Sequence, residues 1–326
     1  MPRSASEAAT TARNDRRVLW LLPLLVLPLP FLLNQYQQYV VNLVLVYVPV
    51  GIGFNVIVGN LGQLAFSNVA FFGIGAYGAG ILMVHLGLPW WLAVLPAAVL
   101  GALGGVAASI PALRGVRLFY LAIMTLAFGE LLRWIYIRWE PLTGGSMGMA
   151  LPTPDLFGWP LDSELRKFYV FLALVLVTIV ATDRVLRSRF GRAFVAIRSD
   201  ELAAAAVGVP TNWYITLGFA WGGAIVGVGG AMYAALIGHL TPSAFDLTEL
   251  IVQFAVIMVG GLGSLAGSVI GAIVVTAAPE LFRELPGFQE LLFGGLIMLV
   301  ILFLPRGLAS LLARLHPVFQ DRYDRA

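Results

Sequence analysis

The sequence predicts an all-α integral membrane protein, a polytopic helical bundle of about ten membrane elements with both termini cytoplasmic. Three observations predict it. Of the 326 residues, 60% are hydrophobic and 11% charged, whereas soluble domains run at roughly 45 to 50% and 25%. Mean hydropathy is +0.89, and apolar runs recur from Val18 to Leu304 with no polar stretch long enough to form a separate domain. The basic residues, nearly all arginine, gather between alternate runs, as cytoplasmic segments of membrane proteins do. A soluble globular domain and a disordered chain are both excluded. The chain divides into a cytoplasmic tail at 1–17, a membrane domain at 18–304 and a second cytoplasmic tail at 305–326.

A helix needs about 20 mostly apolar residues to cross the hydrocarbon core. The basic N-terminus runs into the apolar stretch Val18 to Leu33, which has the outline of a signal peptide. No small-residue cleavage site follows Phe31, and Asn34 to Gln38 makes only a short polar turn, so 18–33 is read as a retained first helix. Further spans are expected at 39–58, 64–84, 90–110, 117–137, 167–183 and 213–237, with a short last one at 289–304. Before that last span lie 29 nearly uncharged residues, 250–278, broken by Gly260, Gly261 and Gly263.

Charge sets the orientation. The net charge is only +3, so placement matters more than amount. Four basic residues precede residue 18, two are Arg114 and Arg117, five lie from Arg184 to Arg198, and four follow from Arg306. With the N-terminus inside, all of these face the cytoplasm, as does the loop 184–212, while the loop 138–166 lies outside. A single crossing by 250–278 would strand the basic C-terminal tail outside. Two short helices meeting at Gly260, Gly261, Gly263 and Ser264, or a re-entrant hairpin, bring it back inside. One internal echo accompanies this break: Val58-Gly-Asn-Leu-Gly-Gln-Leu-Ala65 matches Val259-Gly-Gly-Leu-Gly-Ser-Leu-Ala266 at six of eight positions. Duplication of a half and chance in a chain rich in Gly, Leu, Val and Ala both account for it.

Catalytic chemistry finds little footing. The chain has no cysteine, hence no disulfide, thiolate nucleophile or cysteine metal site. His85, His239 and His316 fall in separate loops or the tail, so no metal cluster is expected. No HExxH or phosphate-binding GxxxxGK[ST] occurs, and the single lysine, Lys167, follows Glu164, Leu165 and Arg166. The glycines from Gly260 to Gly271 are read as helix packing and a bend, and the small-residue stripe Ser67, Ala70, Gly73, Ala76 and Gly80 as a close helix approach. Polar groups in apolar segments are expensive unless partnered or wet. Gln63, Ser67 and Asn68, with Tyr77, Thr125 and Gln253, are therefore pathway candidates. Glu130 is the one carboxylate well inside a span, and it either pairs with Arg133 one turn on or serves a solute pathway.

The inner loop 184–212 is too long and patterned for a plain connector. Phe194, Ile197, Glu201 and Ala204 or Ala205 follow helical spacing, Ser199 or Asp200 can cap a second helix beginning near Glu201, and Gly208 with Pro210 ends it. Two short helices here suggest a docking surface for a partner protein, or a basic helix lying on anionic membrane lipid.

Asp200-Glu-Leu-Ala-Ala-Ala-Ala-Val-Gly208 resembles the loop by which permeases of ABC importers engage their ATPase subunits. Gly62 to Tyr77, Tyr120 to Arg133, Leu142 to Gly148 and Val259 to Gly267, in that order, resemble the M-type permease subunit of branched-chain amino acid ABC transporters. The resemblance runs from about Asn42 to Leu308. It implies a multi-pass protein of the bacterial inner membrane with no cofactor of its own, because ATP is bound by two partner ATPase subunits. It also implies a second, H-type permease subunit and a periplasmic substrate-binding protein, and no nucleic acid partner. Contact roles with the ATPases fall to Arg192, Arg198, Asp200, Glu201 and Gly208. The family includes permeases for urea, short amides and aromatic acids as well. Its usual Ser-Leu-Gly-His is replaced here by Ala65-Phe-Ser-Asn68, which keeps a polar group and removes a titratable one.

Two rivals belong to other classes. A stand-alone ion-coupled transporter or channel usually buries several carboxylates for its coupling ion, whereas only Glu130 is found. A membrane-embedded enzyme lacks a nucleophile and base in any span.

Overall fold

Asn34 accepts a hydrogen bond from the Gln37 amide while the Gln37 side chain accepts from the Asn34 amide, a reciprocal cap that starts the first long helix. The expected polar turn at 34–38 is thus already helical. The computed structural model describes residues 27–281, 294–295, 298–300, 302–304 and 307–310. The first predicted span falls largely outside these, and its end, Leu29–Leu32, is a 3-10 turn rather than an α-helix. The span expected at 289–304 and both tails also lie mostly outside the described residues.

Among the described residues, six helices are long and apolar enough to cross a membrane. They are α1 (Gln35–Asn55, continued by a π-turn to Asn60), α2 (Asn68–His85), α3 (Trp90–Leu113), α4 (Leu118–Arg138), α5 (Glu164–Arg187) and α8 (Thr211–Ile237). Between α5 and α8 stand two short helices, α6 (Arg189–Ser199) and α7 (Glu201–Ala206). The predicted break is present as α9 (Leu247–Gly260) followed by α10 (Leu265–Leu281).

α8 is the central element, packed against α3, α2 and α1. Glycine makes this approach achievable: a Cβ on Gly101 of α3 would collide with the Gly223 carbonyl of α8, and one on Gly75 of α2 with that of Gly227. Such small-residue crossings replace the hydrophobic driving force that lipid cannot supply. α5 and the α9–α10 pair flank α1, and α4 leans on the outside of α2. Gly73, from the small-residue stripe, receives the Tyr136 ring of α4.

The bundle has two distinct ends. At one, β1 (Met149–Ala150) pairs antiparallel with β4 (His239–Leu240), and a small hairpin joins β2 (Asp155–Leu156) to β3 (Trp159–Pro160). His85 and His239 stand 3.1 Å from the carbonyls of Leu142 and Met147, tying the loop 138–166 to its neighbours. At the other end, α6 and α7 meet the α3–α4 turn and the segment after α1.

α9 and α10 run antiparallel, with Gly260 against Gly267 and Gly271 against the Val256 carbonyl. At 14 and 17 residues they are about 21 and 26 Å long, short of a full crossing for the first. Their connection lies at the α6–α7 end, and residues 307–310 return to it, the Leu308 amide donating to the Val259 carbonyl at 2.8 Å.

Candidate functional site

The loop 184–212 is built by its caps. The Ser188 hydroxyl accepts from the Phe190 amide at 3.1 Å and starts α6. Asp200 accepts from the Ala203 amide at 2.9 Å and starts α7, and Gly208, at φ +87°, turns the chain toward α8. Phe194, Ile197 and Ala204 are buried and anchor the pair. The opposite side is apolar and open: Leu202 is 82% exposed and Val207 81%. Arg192 is also exposed. Glu201 forms an ion pair with Arg117 at the start of α4.

Arg198 reaches inward, donating through its Nη1 to the carbonyl of Gly59. Its stem fills the space beside Gly62, where any Cβ would collide with it. Gly59 lies in the π-turn that ends α1, a feature that often marks functional sites.

From there a second set of bonds runs to the α9–α10 break. Asn55 donates to the carbonyls of Gly261 and Ser264 at 3.2 and 2.9 Å and to the Ser268 hydroxyl at 2.8 Å, and accepts from the Gly263 amide at 2.7 Å. Asn60 donates to the Gly263 carbonyl at 3.2 Å. The two echoing segments therefore face each other, each joining two helices. Their matched glycines share one left-handed conformation, φ +76° at Gly62 and +81° at Gly263, which only glycine adopts without strain. Both are helix breaks of one design.

A polar chain crosses the interior beside them. Asn68 donates to Gln253 at 2.7 Å, Gln253 donates to Glu249 at 2.8 Å, and the Tyr47 hydroxyl donates to the same carboxylate at 2.8 Å. The Phe66 amide donates to the Thr125 hydroxyl at 2.8 Å, so Thr125 ties α4 to the break. Gln63, Ser67, Asn68, Tyr77, Thr125 and Gln253 are all buried within the protomer. Tyr77 stacks on Tyr136 with ring centroids 4.3 Å apart. Both hydroxyls, the Ser67 hydroxyl and the Asn68 carbonyl oxygen are buried without a hydrogen-bond partner.

Of the two settings expected for Glu130, the structure contains the ion pair. Glu130 pairs with Arg133 at 3.0 Å, and its side chain is 46% exposed on the outer side of α4. The carboxylate enclosed by the fold is instead Glu249, which hydropathy placed just outside the apolar segment 250–278. Asn55 and Asn60 are the other omission, and their signal was an amide within an otherwise apolar run.

Residues 37–304 match the family described as the permease component of the branched-chain amino acid transport system. The chain belongs to this family. Its members are transport permeases, not enzymes. The permease is 31% identical to the high-affinity branched-chain amino acid transport system permease protein LivM of Escherichia coli strain K12, over 90% of this chain and 75% of that protein. It is 27% identical to BraD of Pseudomonas aeruginosa, over 84% of this chain and 95% of that protein. LivH of Salmonella typhimurium, a permease protein of the same kind of system, is 24% identical over 80% of this chain and 90% of its own. Here, then, is a multi-pass membrane permease component of an ABC importer.

Proposed function

We propose that the permease moves branched-chain amino acids, or a closely related small polar solute, inward across a bacterial inner membrane. A second, H-type permease subunit completes the pathway, two ATPases supply the energy, and a periplasmic binding protein delivers the solute. Similarity to proteins named LivM, BraD and LivH supports the solute class and the pairing of two permeases. On this reading both termini and the α6–α7 end are cytoplasmic, since the arginines gather there.

One observation carries the mechanism. α6 and α7 present an exposed apolar side at Leu202 and Val207 while Arg198 grips the broken end of α1. A partner seated on α7 therefore pulls directly on the segment between α1 and α2. ATP-driven closure of two ATPases displaces that segment, and the facing break at Gly260, Gly261, Gly263 and Ser264 moves with it through Asn55 and Asn60. Asp200 and Gly208 hold the docking helix in shape, Arg192 offers charge at its edge, and Glu201 fixes the helix to the start of α4 through Arg117. Gln63, Ser67, Asn68, Tyr77, Thr125 and Gln253 line the moving interior.

Leu202→Asp tests this. The side chain makes no contribution to the core, so the amount of permease in the membrane stays unchanged. The ATPases should no longer co-purify, and uptake should drop to about a tenth or less, a loss of roughly 1.4 kcal/mol or more in coupling. Full uptake with the ATPases retained would sink the docking role.

A further inference from the structure

Glu130 and Arg133 form an ion pair on a partly exposed side of α4. Ile123, Ala127, Glu130 and Trp134 follow one another at helical spacing and are all exposed, forming one side of α4. Glu130 comes about 12 residues after the start of α4 and about 8 before its end, placing it some 18 and 12 Å from the two ends, close to mid-membrane. Ionisable side chains at such depth face protein or water, not acyl chains. α3 makes the contrast: its exposed residues at comparable depth, Val99 and Leu103, and those flanking them, Leu95 and Val106, are all apolar. A largely apolar groove of about 300 Å³ lies between α3 and α4, walled by Pro111, Met124, Thr125, Ala127, Phe128 and Leu131 among others, of which Ala127 and Leu131 are within one helical turn of Glu130.

We propose that this face of α4 lines the solute pathway opposite the second permease subunit. The Glu130–Arg133 pair receives the charged head of a zwitterionic solute, and the neighbouring groove its aliphatic side chain. The inference rests on the functional reading above and adds the wall of the pathway to it. An ammonium group complements the Glu130 carboxylate, a carboxylate complements the Arg133 guanidinium, and an uncharged apolar groove suits a branched hydrocarbon. In secondary transporters the substrate site lies near the bilayer midplane at the interface of paired halves, and the proposal gives this permease the same arrangement. The depth of Glu130 and the exposure of its helix meet both conditions.

Because the chain has no cysteine, single substitutions report one position each. Ile123→Cys, Ala127→Cys, Val99→Cys and Leu103→Cys would be expressed with the companion subunits and treated with a small, membrane-impermeant thiol reagent. Only a thiolate in contact with water reacts, so the α4 positions should be modified roughly tenfold faster than the α3 positions. Modification at Ala127→Cys should block leucine uptake, and excess leucine should slow the modification. Equal rates on the two helices, or modification that leaves uptake intact, would overturn the proposal. Glu130→Gln keeps the shape of the side chain and should lower uptake about tenfold with the ATPases still bound; unchanged uptake in that variant also overturns it. If the unsubstituted assembly takes up no branched-chain amino acid, the solute reading fails, and the labelling contrast alone then decides whether α4 lines a water-filled path.

Discussion

Asn68 spends one amide hydrogen bond on Gln253, which in turn holds the Glu249 carboxylate that Tyr47 also donates to. Replacing Asn68 with leucine leaves the Gln253 carbonyl oxygen buried without a donor, a loss of about 1 to 3 kcal/mol. The purified permease should melt several degrees lower, and Asn68→Leu combined with Gln253→Leu should cost less than the sum of the two single changes, because the residues share one bond. Additive losses would show that the chain does not act as a unit. Residue types showed that polar groups lay inside the bundle. They did not show which of them meet, because Asn68 and Gln253 are 185 positions apart and only packing brings them together. Glu130 keeps its expected partner Arg133, but its outward orientation was not legible for the same reason: a helix that is apolar on nearly every side gives no signal of which side faces inward.

At the scale of elements, the long helices were legible within a few residues because nothing but a long apolar segment can satisfy its backbone in lipid. Caps were legible where Asp200 and Gly208 followed known rules, and missed where Asn34 and Gln37 capped each other inside what read as a turn. What no pattern disclosed is the linkage from α6 to the end of α1. Arg198→Ala removes the bond to the Gly59 carbonyl without touching the buried residues Phe194 and Ile197 that anchor α6. Insertion and ATPase binding should survive, while uptake falls about tenfold or more and ATP hydrolysis loses its dependence on solute. Uptake and coupling at the original level would show that force reaches the core by another contact, such as the Arg117–Glu201 pair.

For the molecule as a whole, two facing breaks of one design, at 59–65 and 260–266, explain how a bundle with six full-length apolar helices among the described residues also accommodates the apolar segment 250–278, as a hairpin of two shorter helices. α9 descends from the strand end and α10 returns to it, so the hairpin tip lies at the α6–α7 end beside Asn55 and Gly59. The two ends make opposite predictions for accessibility. Trp159 and Ser243 are exposed at the strand end, Val207 and Leu262 at the other. In intact cells an impermeant thiol reagent should modify Trp159→Cys and Ser243→Cys and spare Val207→Cys and Leu262→Cys. In inverted membrane vesicles the pattern should reverse. A re-entrant hairpin requires Leu262 and Val207 to change sides together, since both belong to the end where the arginines gather. Labelling of Leu262→Cys from the same side as Trp159→Cys would instead mean that α9 does not carry the chain across to the α6–α7 end. The mechanical link from docking loop to break would then have no path through the membrane.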